Sequence, residues 1–173
     1  MIEDSSSLDL ALIGNCCISA LIDKRGRIVW SCFPRFDGDP VFHSLLGGPT
    51  EDADDGTFEI ELVDGAEYSQ SYVGNTAIVC TVIEGPSGAI EVIDFAPRFK
   101  WLQRSFRPQT LVRRIRPLRR SPRIRIKAKP RYDYGRAAPL VAYGSNHIRY
   151  IGPNVALRLT TDAPIDYIVG ETA

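Results

Sequence analysis

Between Arg123 and Lys129 the chain alternates strictly: Ile124, Ile126 and Ala128 are interleaved with Arg123, Arg125, Lys127 and Lys129. Successive side chains of an extended strand point to opposite faces, so this spacing predicts one apolar face for a core and one cationic face for water. A helix would scatter the same residues around its circumference. Most of the chain is written in comparable short runs separated by Gly, Pro, Asn and Asp. Strands are expected over 18–22, 27–30, 57–62, 68–72, 77–84, 89–95, 110–116, 123–128, 146–150, 155–160 and 166–169. Asp23-Lys24-Arg25-Gly26 reads as a hairpin turn whose glycine supplies a positive φ, and Glu84-Gly85-Pro86-Ser87-Gly88 as a second turn. Only Pro40 to Leu46 looks helical, as a short turn opened by proline. The fold class expected is all-β, an antiparallel β-sandwich.

A short apolar strand that ends in Trp30-Ser31-Cys32-Phe33-Pro34-Arg35-Phe36-Asp37 is too unusual a string to follow from β-propensity alone. Three segments carry the same impression in order: ALIGNCCISALIDKRGRIVWSCFPRFDGDPVFHSLLGG, QSYVGNTAIVCTVIEGPSGAIEVIDFAPRF and PQTLVRRIRPLRRSPRIRIKAKPRYDYGRAAP. They resemble the N-terminal β-domain of glycoside hydrolase family 15, the bacterial and archaeal glucoamylase-like and trehalase-like enzymes, over most of residues 8–160. The resemblance implies a super-β-sandwich followed, in the parent enzyme, by a helical barrel of six hairpins. There, two glutamates invert an α-glucosidic bond, as in malto-oligosaccharides or trehalose. With 173 residues there is no room for that barrel. The chain is therefore expected to be the N-terminal β-sandwich domain, 1–173, or a fragment of it incomplete at its C-terminal end. It is expected to be inactive alone and to partner its own C-terminal helical catalytic domain. Edge strands and apolar surface left open by such a truncation predict self-association.

Composition narrows the remaining classes. Apolar residues make up 44% and the 21 Lys and Arg balance 21 Asp and Glu, which suits a globular core. No apolar run is long enough to span a membrane and no charged n-region precedes an apolar h-region, so no membrane partner is expected and the default location is cytoplasmic. Cys16, Cys17, Cys32 and Cys80 lack the paired spacing of a zinc site, and the adjacency of two of them suits no standard disulfide framework. They read as buried thiols. His43 and His147 have no Cys or acidic neighbours that would make a metal pair or triad, so neither a metal nor a cofactor is expected.

A glycosidase reading invites a search for two carboxylates, roughly 6.5–9.5 Å apart in an inverting enzyme. Glu59 and Glu61 alternate along one strand, Glu51, Asp52, Asp54 and Asp55 crowd a loop, and Glu91 and Asp94 flank another strand. Such placements are more often solvent faces than acid–base pairs, and no catalytic residue is assigned. The candidate binding or domain-interface loop is Pro34 to Asp37: Phe36 offers a stacking surface, while Arg35 and Asp37 offer donors and acceptors for hydroxyls. By resemblance, Tyr132, Asp133, Tyr134 and Arg136 form a second such string at the domain junction. Arg98 to Arg136 holds 15 of the 21 cations against one acid, Asp133. A polyanion-binding β-domain is thus one alternative, although zero net charge and the lack of any nucleic-acid motif argue for a solvated or domain-facing patch. A stand-alone carbohydrate-binding module is the other, for which exposed Trp30, Trp101 or Tyr134 platforms would be diagnostic.

Overall fold

The computed structural model describes residues 8–47 and 56–164. Within them the strands are β1 (Ala11–Gly14), β2 (Ser19–Ile22), β3 (Ile28–Cys32), β4 (Pro40–Phe42), β5 (Phe58–Leu62), β6 (Glu67–Tyr72), β7 (Val79–Gly85) and β8 (Gly88–Phe95). They continue with β9 (Phe99–Trp101), β10 (Arg104–Phe106), β11 (Val112–Arg119), β12 (Ile124–Ala128), β13 (Leu140–Tyr143), β14 (His147–Ile151) and β15 (Ala156–Thr160). One sheet runs β1-β2-β3-β5-β12 with β4 on β3; a second runs β11-β8-β7-β6; a third is β13-β14-β15; and β9 pairs only with β10. The expected all-β antiparallel sandwich is the fold observed.

Its core forms where the first two sheets face each other. Ile13, Ile22, Ile28, Val41 and Val79 make one cluster with Tyr132, and Ile60, Leu62, Ile83, Ile90 and Val92 make a second, against which Ile115, Ile124 and Ile126 pack. The apolar half of the 123–129 alternation therefore faces the core, as its period requires. Each buried aliphatic side chain here contributes about 1.5–3 kcal/mol of transfer free energy.

The hairpin turns follow the side chains that the sequence put there. Gly26 has φ +78°, its N–H donates to the Asp23 carbonyl at 2.9 Å, and Asp23 Oδ1 accepts from the Arg25 and Arg27 amides. Gly85 pairs with Gly88 across the β7–β8 turn. Asn15 does the same work for β1 and β2: its Oδ1 accepts from the Cys17 and Ile18 amides while Cys16 takes φ +71°.

Three expectations are corrected. Residues 40–42 are a buried strand rather than a helical turn, because Phe42 pairs with Ser31 and the Val41 carbonyl accepts from the Arg131 amide at 2.9 Å; only Ser44–Leu46 forms a 3-10 turn. The cationic face of β12 is not simply wet. Lys127 and Arg125 stand opposite Glu59 and Glu61 of β5, with Lys127 Nζ 3.2 Å from Glu61 and 3.6 Å from Glu59, whose carboxylate is buried. Cross-strand pairing of opposite charges thus turned a presumed solvent face into a half-buried ion-pair layer. Nor are the thiols uniformly buried: Cys32 is, Cys17 and Cys80 are half-buried, and Cys16 is exposed. The expected strand 166–169 and the acids Glu51, Asp52, Asp54 and Asp55 lie outside the described residues.

Candidate functional site

Both sequence-derived loops are anchored on β4. The first, residues 33–39, connects β3 to β4 and is pinned from two sides: Phe33 packs on the core cluster, and the Phe36 amide donates to the Cys17 carbonyl at 3.1 Å. The Gly38 amide closes the turn on the Arg35 carbonyl. That leaves Phe36 60% exposed beside a bidentate pair, Arg35 Nε to Asp37 Oδ1 at 2.9 Å and Nη2 to Oδ2 at 2.8 Å. The Arg35 guanidinium holds the Asp37 carboxyl below its ordinary range, so Asp37 is an acceptor and not a proton donor near neutrality.

The second loop, residues 131–137, leaves β12 and is held to β4 through Arg131. An isolated bridge from Tyr132 to Ala137 closes it, and Asp133, Tyr134 and Gly135 take φ of +50°, +53° and +92° in succession. Gly135 is required where it stands: a Cβ would lie 2.7 Å from the ring of His43, which is buried between Gly135 and Gly56. Tyr132 is not a surface residue. It is buried in the first core cluster and its hydroxyl donates to the Tyr150 carbonyl at 2.8 Å, tying the third sheet to the sandwich. Tyr134 is exposed, and Asp133 and Arg136 form a loose exposed pair at 3.8 Å.

The seven candidates therefore divide. Arg35, Phe36 and Asp37 sit on one loop, Asp133, Tyr134 and Arg136 on the other, and Tyr132 belongs to the core; no hydrogen bond or ion pair joins the two loops among the described residues. An aromatic face beside a guanidinium–carboxylate pair can stack on a sugar ring or a partner side chain and exchange hydrogen bonds with hydroxyls. Two shallow grooves of about 420 Å³ each, both lined by Gly65 and Ala66, include no residue of either loop. Among the described residues no group of three or more His, Cys, Asp or Glu is placed to hold a metal ion. No helix of the described residues is long and apolar enough to cross a membrane.

The partners of the basic segment differ from element to element. In the sheets part of it is neutralised: Arg113 by Asp94, Arg116 by Glu91, Arg125 and Lys127 by Glu61. Lys100 and Arg104 of the β9–β10 hairpin form no ion pair with the described residues, and this hairpin is the feature that periodicity missed. Its strands are only three residues long, and all are exposed. Of the three aromatic platforms, Trp30 is half-buried in β3, whereas Tyr134 and Trp101 are exposed, Trp101 by 63%.

These loops and this fold describe an antiparallel β-sandwich domain that exposes Phe36, Trp101 and Tyr134 on its surface. Residues 3–170 match the family model described as "Trehalase-like, N-terminal". The chain is also 32% identical over 165 residues to Trehalase 1 of Sulfolobus acidocaldarius, an alignment that covers 92% of this chain and 26% of that protein. No solved structure matches it. The chain belongs to the trehalase-like N-terminal family. It spans about a quarter of the length of the relative it matches.

Proposed function

We propose that this chain is the non-catalytic N-terminal β-domain of a trehalase-type glycoside hydrolase, which holds and braces a catalytic region and contributes loop residues to the rim of its cleft. The observation that carries this reading is the asymmetry of the alignment with Trehalase 1: nearly all of this chain is matched, but only 26% of the relative. The chemistry of hydrolysis is then supplied elsewhere in the polypeptide. Two features of the surface support the bracing role. Arg35, Phe36 and Asp37 are rigidly mounted yet exposed, and Tyr134 is projected outward by a run of left-handed residues that the loop retains at an energetic cost. The substrate class in this reading is an α-glucoside, trehalose in the first instance, with the inverting chemistry of family 15.

The test is enzymatic. The polypeptide that carries this domain together with its catalytic region is expected to release glucose from trehalose, and residues 1–173 alone to release none. Glucose release by 1–173 that is lost on substitution of one of its own carboxylates would overturn the non-catalytic assignment.

A further inference from the structure

The β9–β10 hairpin lies in the crossover between β8 and β11 and, among the described residues, pairs with no other strand. Its register places Phe99 opposite Phe106 and Trp101 opposite Arg104, so these four side chains share one face. The two phenyl rings stack with centroids 5.6 Å apart. At the tip, Leu102 and Gln103 take φ of +45° and +62°, the mirror-image turn that ordinarily selects Asn-Gly. A leucine there opposes backbone preference, and at 83% exposure no packing within the domain compensates it.

The arm is nonetheless held firmly at its base. Asn15 is buried, and its Nδ2 donates to the Pro97 carbonyl at 3.0 Å and the Pro108 carbonyl at 2.8 Å, one on each side of the arm. Arg104 lies on the aromatic face, Lys100 on the opposite one and Arg98 and Arg107 at the base, and none of the four forms an ion pair with the described residues, whereas Arg113, Arg116, Arg125 and Lys127 of β11 and β12 do. A tryptophan beside an arginine is the pairing that protein hot spots favour, and here both are exposed on an arm fixed at its neck. Residues 98–107 contain no carboxylate, so the side-chain acceptors that the arm offers a sugar hydroxyl are the neutral ones of Gln103 and Ser105.

We infer that the β9–β10 hairpin is a docking arm, which seats Trp101 and Leu102 in an apolar, acid-rimmed pocket of the catalytic region of the same polypeptide. The inference rests on the proposed place of this domain in a larger hydrolase. The occupant follows from the length of the trehalase relative that lies beyond the match and from the positive charge left unneutralised on the arm. Anchoring by Trp101 with Arg104 across the strand gives the contact its affinity, Leu102 adds apolar contact at the tip, and the cations set its orientation.

The experiment uses the full polypeptide with a photo-cross-linking residue in place of Leu102. The expected result is an intramolecular cross-link to a segment beyond residue 173. Trp101→Ala and Arg104→Glu are each expected to speed proteolytic separation of the domain from the catalytic region by about tenfold or more. Both should leave the melting temperature of isolated 1–173 within about 2 °C, because the side chains are exposed there. A cross-link to a second copy, no cross-link, Trp101 fluorescence quenched by trehalose, or Trp101-dependent binding to anionic phosphatidylserine vesicles would each overturn the docking assignment. Trehalose hydrolysis run alongside separates the two readings. Hydrolysis with an uncross-linked arm sinks only the arm, and a cross-linked arm without hydrolysis sinks only the substrate.

Discussion

Arg113 and Asp94 form a buried bidentate pair: Nε lies 2.8 Å from Oδ1 and Nη2 3.0 Å from Oδ2, with the two side chains 4% and 0% exposed. The pair joins β11 to β8, and the same guanidinium crosses to the other sheet. Its Nη1 donates to the Phe58 carbonyl at 2.6 Å, its Nη2 to the Gly26 carbonyl, and its plane lies over the Phe58 ring at 4.8 Å. One side chain thus clasps both layers of the sandwich at the β2–β3 turn. Asp94→Ala would leave a buried cation without its counter-charge, and we expect a loss of about 3–5 kcal/mol in urea unfolding. Arg113→Lys is expected to be destabilising as well, since an ammonium cannot reproduce the fork. A loss below about 1 kcal/mol in either variant would show that the clasp is dispensable.

Asn15 provides a test of the arm's neck. Asn15→Asp keeps the acceptor for the Cys17 and Ile18 amides but loses both donors to Pro97 and Pro108. Two carbonyls then face a carboxylate, and a destabilisation of about 1–3 kcal/mol is expected. Amide exchange over residues 98–107 should accelerate selectively, and uniform exchange across the domain would contradict the proposed clamp.

Gly135→Ala should be costly on two counts, the left-handed backbone and the contact with the His43 ring. An expected loss of about 2–4 kcal/mol combines strain with overpacking. His43→Ala in the same chain removes the second cost but not the first, so the double variant should lose less than the sum of the singles. Strict additivity would show that the ring contact carries no penalty.

Burial pushes the Tyr150 phenol up to about 12. An unfolded tyrosine ionises near pH 10, so between about pH 10 and 12 the unfolded chain gives up a proton that the folded chain keeps. Stability from this group is therefore complete below pH 10 and is lost as pH rises toward 12. Tyr150→Phe should flatten the alkaline decline by about 2 kcal/mol over that window, measured as chemical denaturation at fixed salt. Identical profiles for the two proteins would remove the linkage.

In the full polypeptide, Phe36→Ala or Asp37→Asn is expected to lower kcat/KM for trehalose by about 1–3 kcal/mol of transition-state stabilisation and to leave isolated 1–173 folded. Unchanged kinetics in both variants would leave the loop with a purely structural role.

Local chemistry was readable along the chain wherever it acts within a few residues. Alternation at 123–129 gave β12 and its core face, the Asp23–Gly26 and Gly85–Gly88 turns gave their hairpins, and the three motif segments pointed to the family that the alignment established. What lay beyond the sequence depends on contacts between residues far apart in it. Tyr132 and Tyr134 are two positions apart in one motif, yet one is core and the other surface, because a left-handed run turns the chain between them. Glu59 looked like a solvent-facing acid until β12 laid Lys127 opposite it, 68 positions later. The runs at 99–101 and 104–106 are too short for periodicity to register, and Asn15, 82 residues from Pro97, fixes the hairpin that they form. Turn and strand preferences are set by sterics within a residue or two, whereas charge neutralisation and burial are set by whichever strand the fold brings alongside.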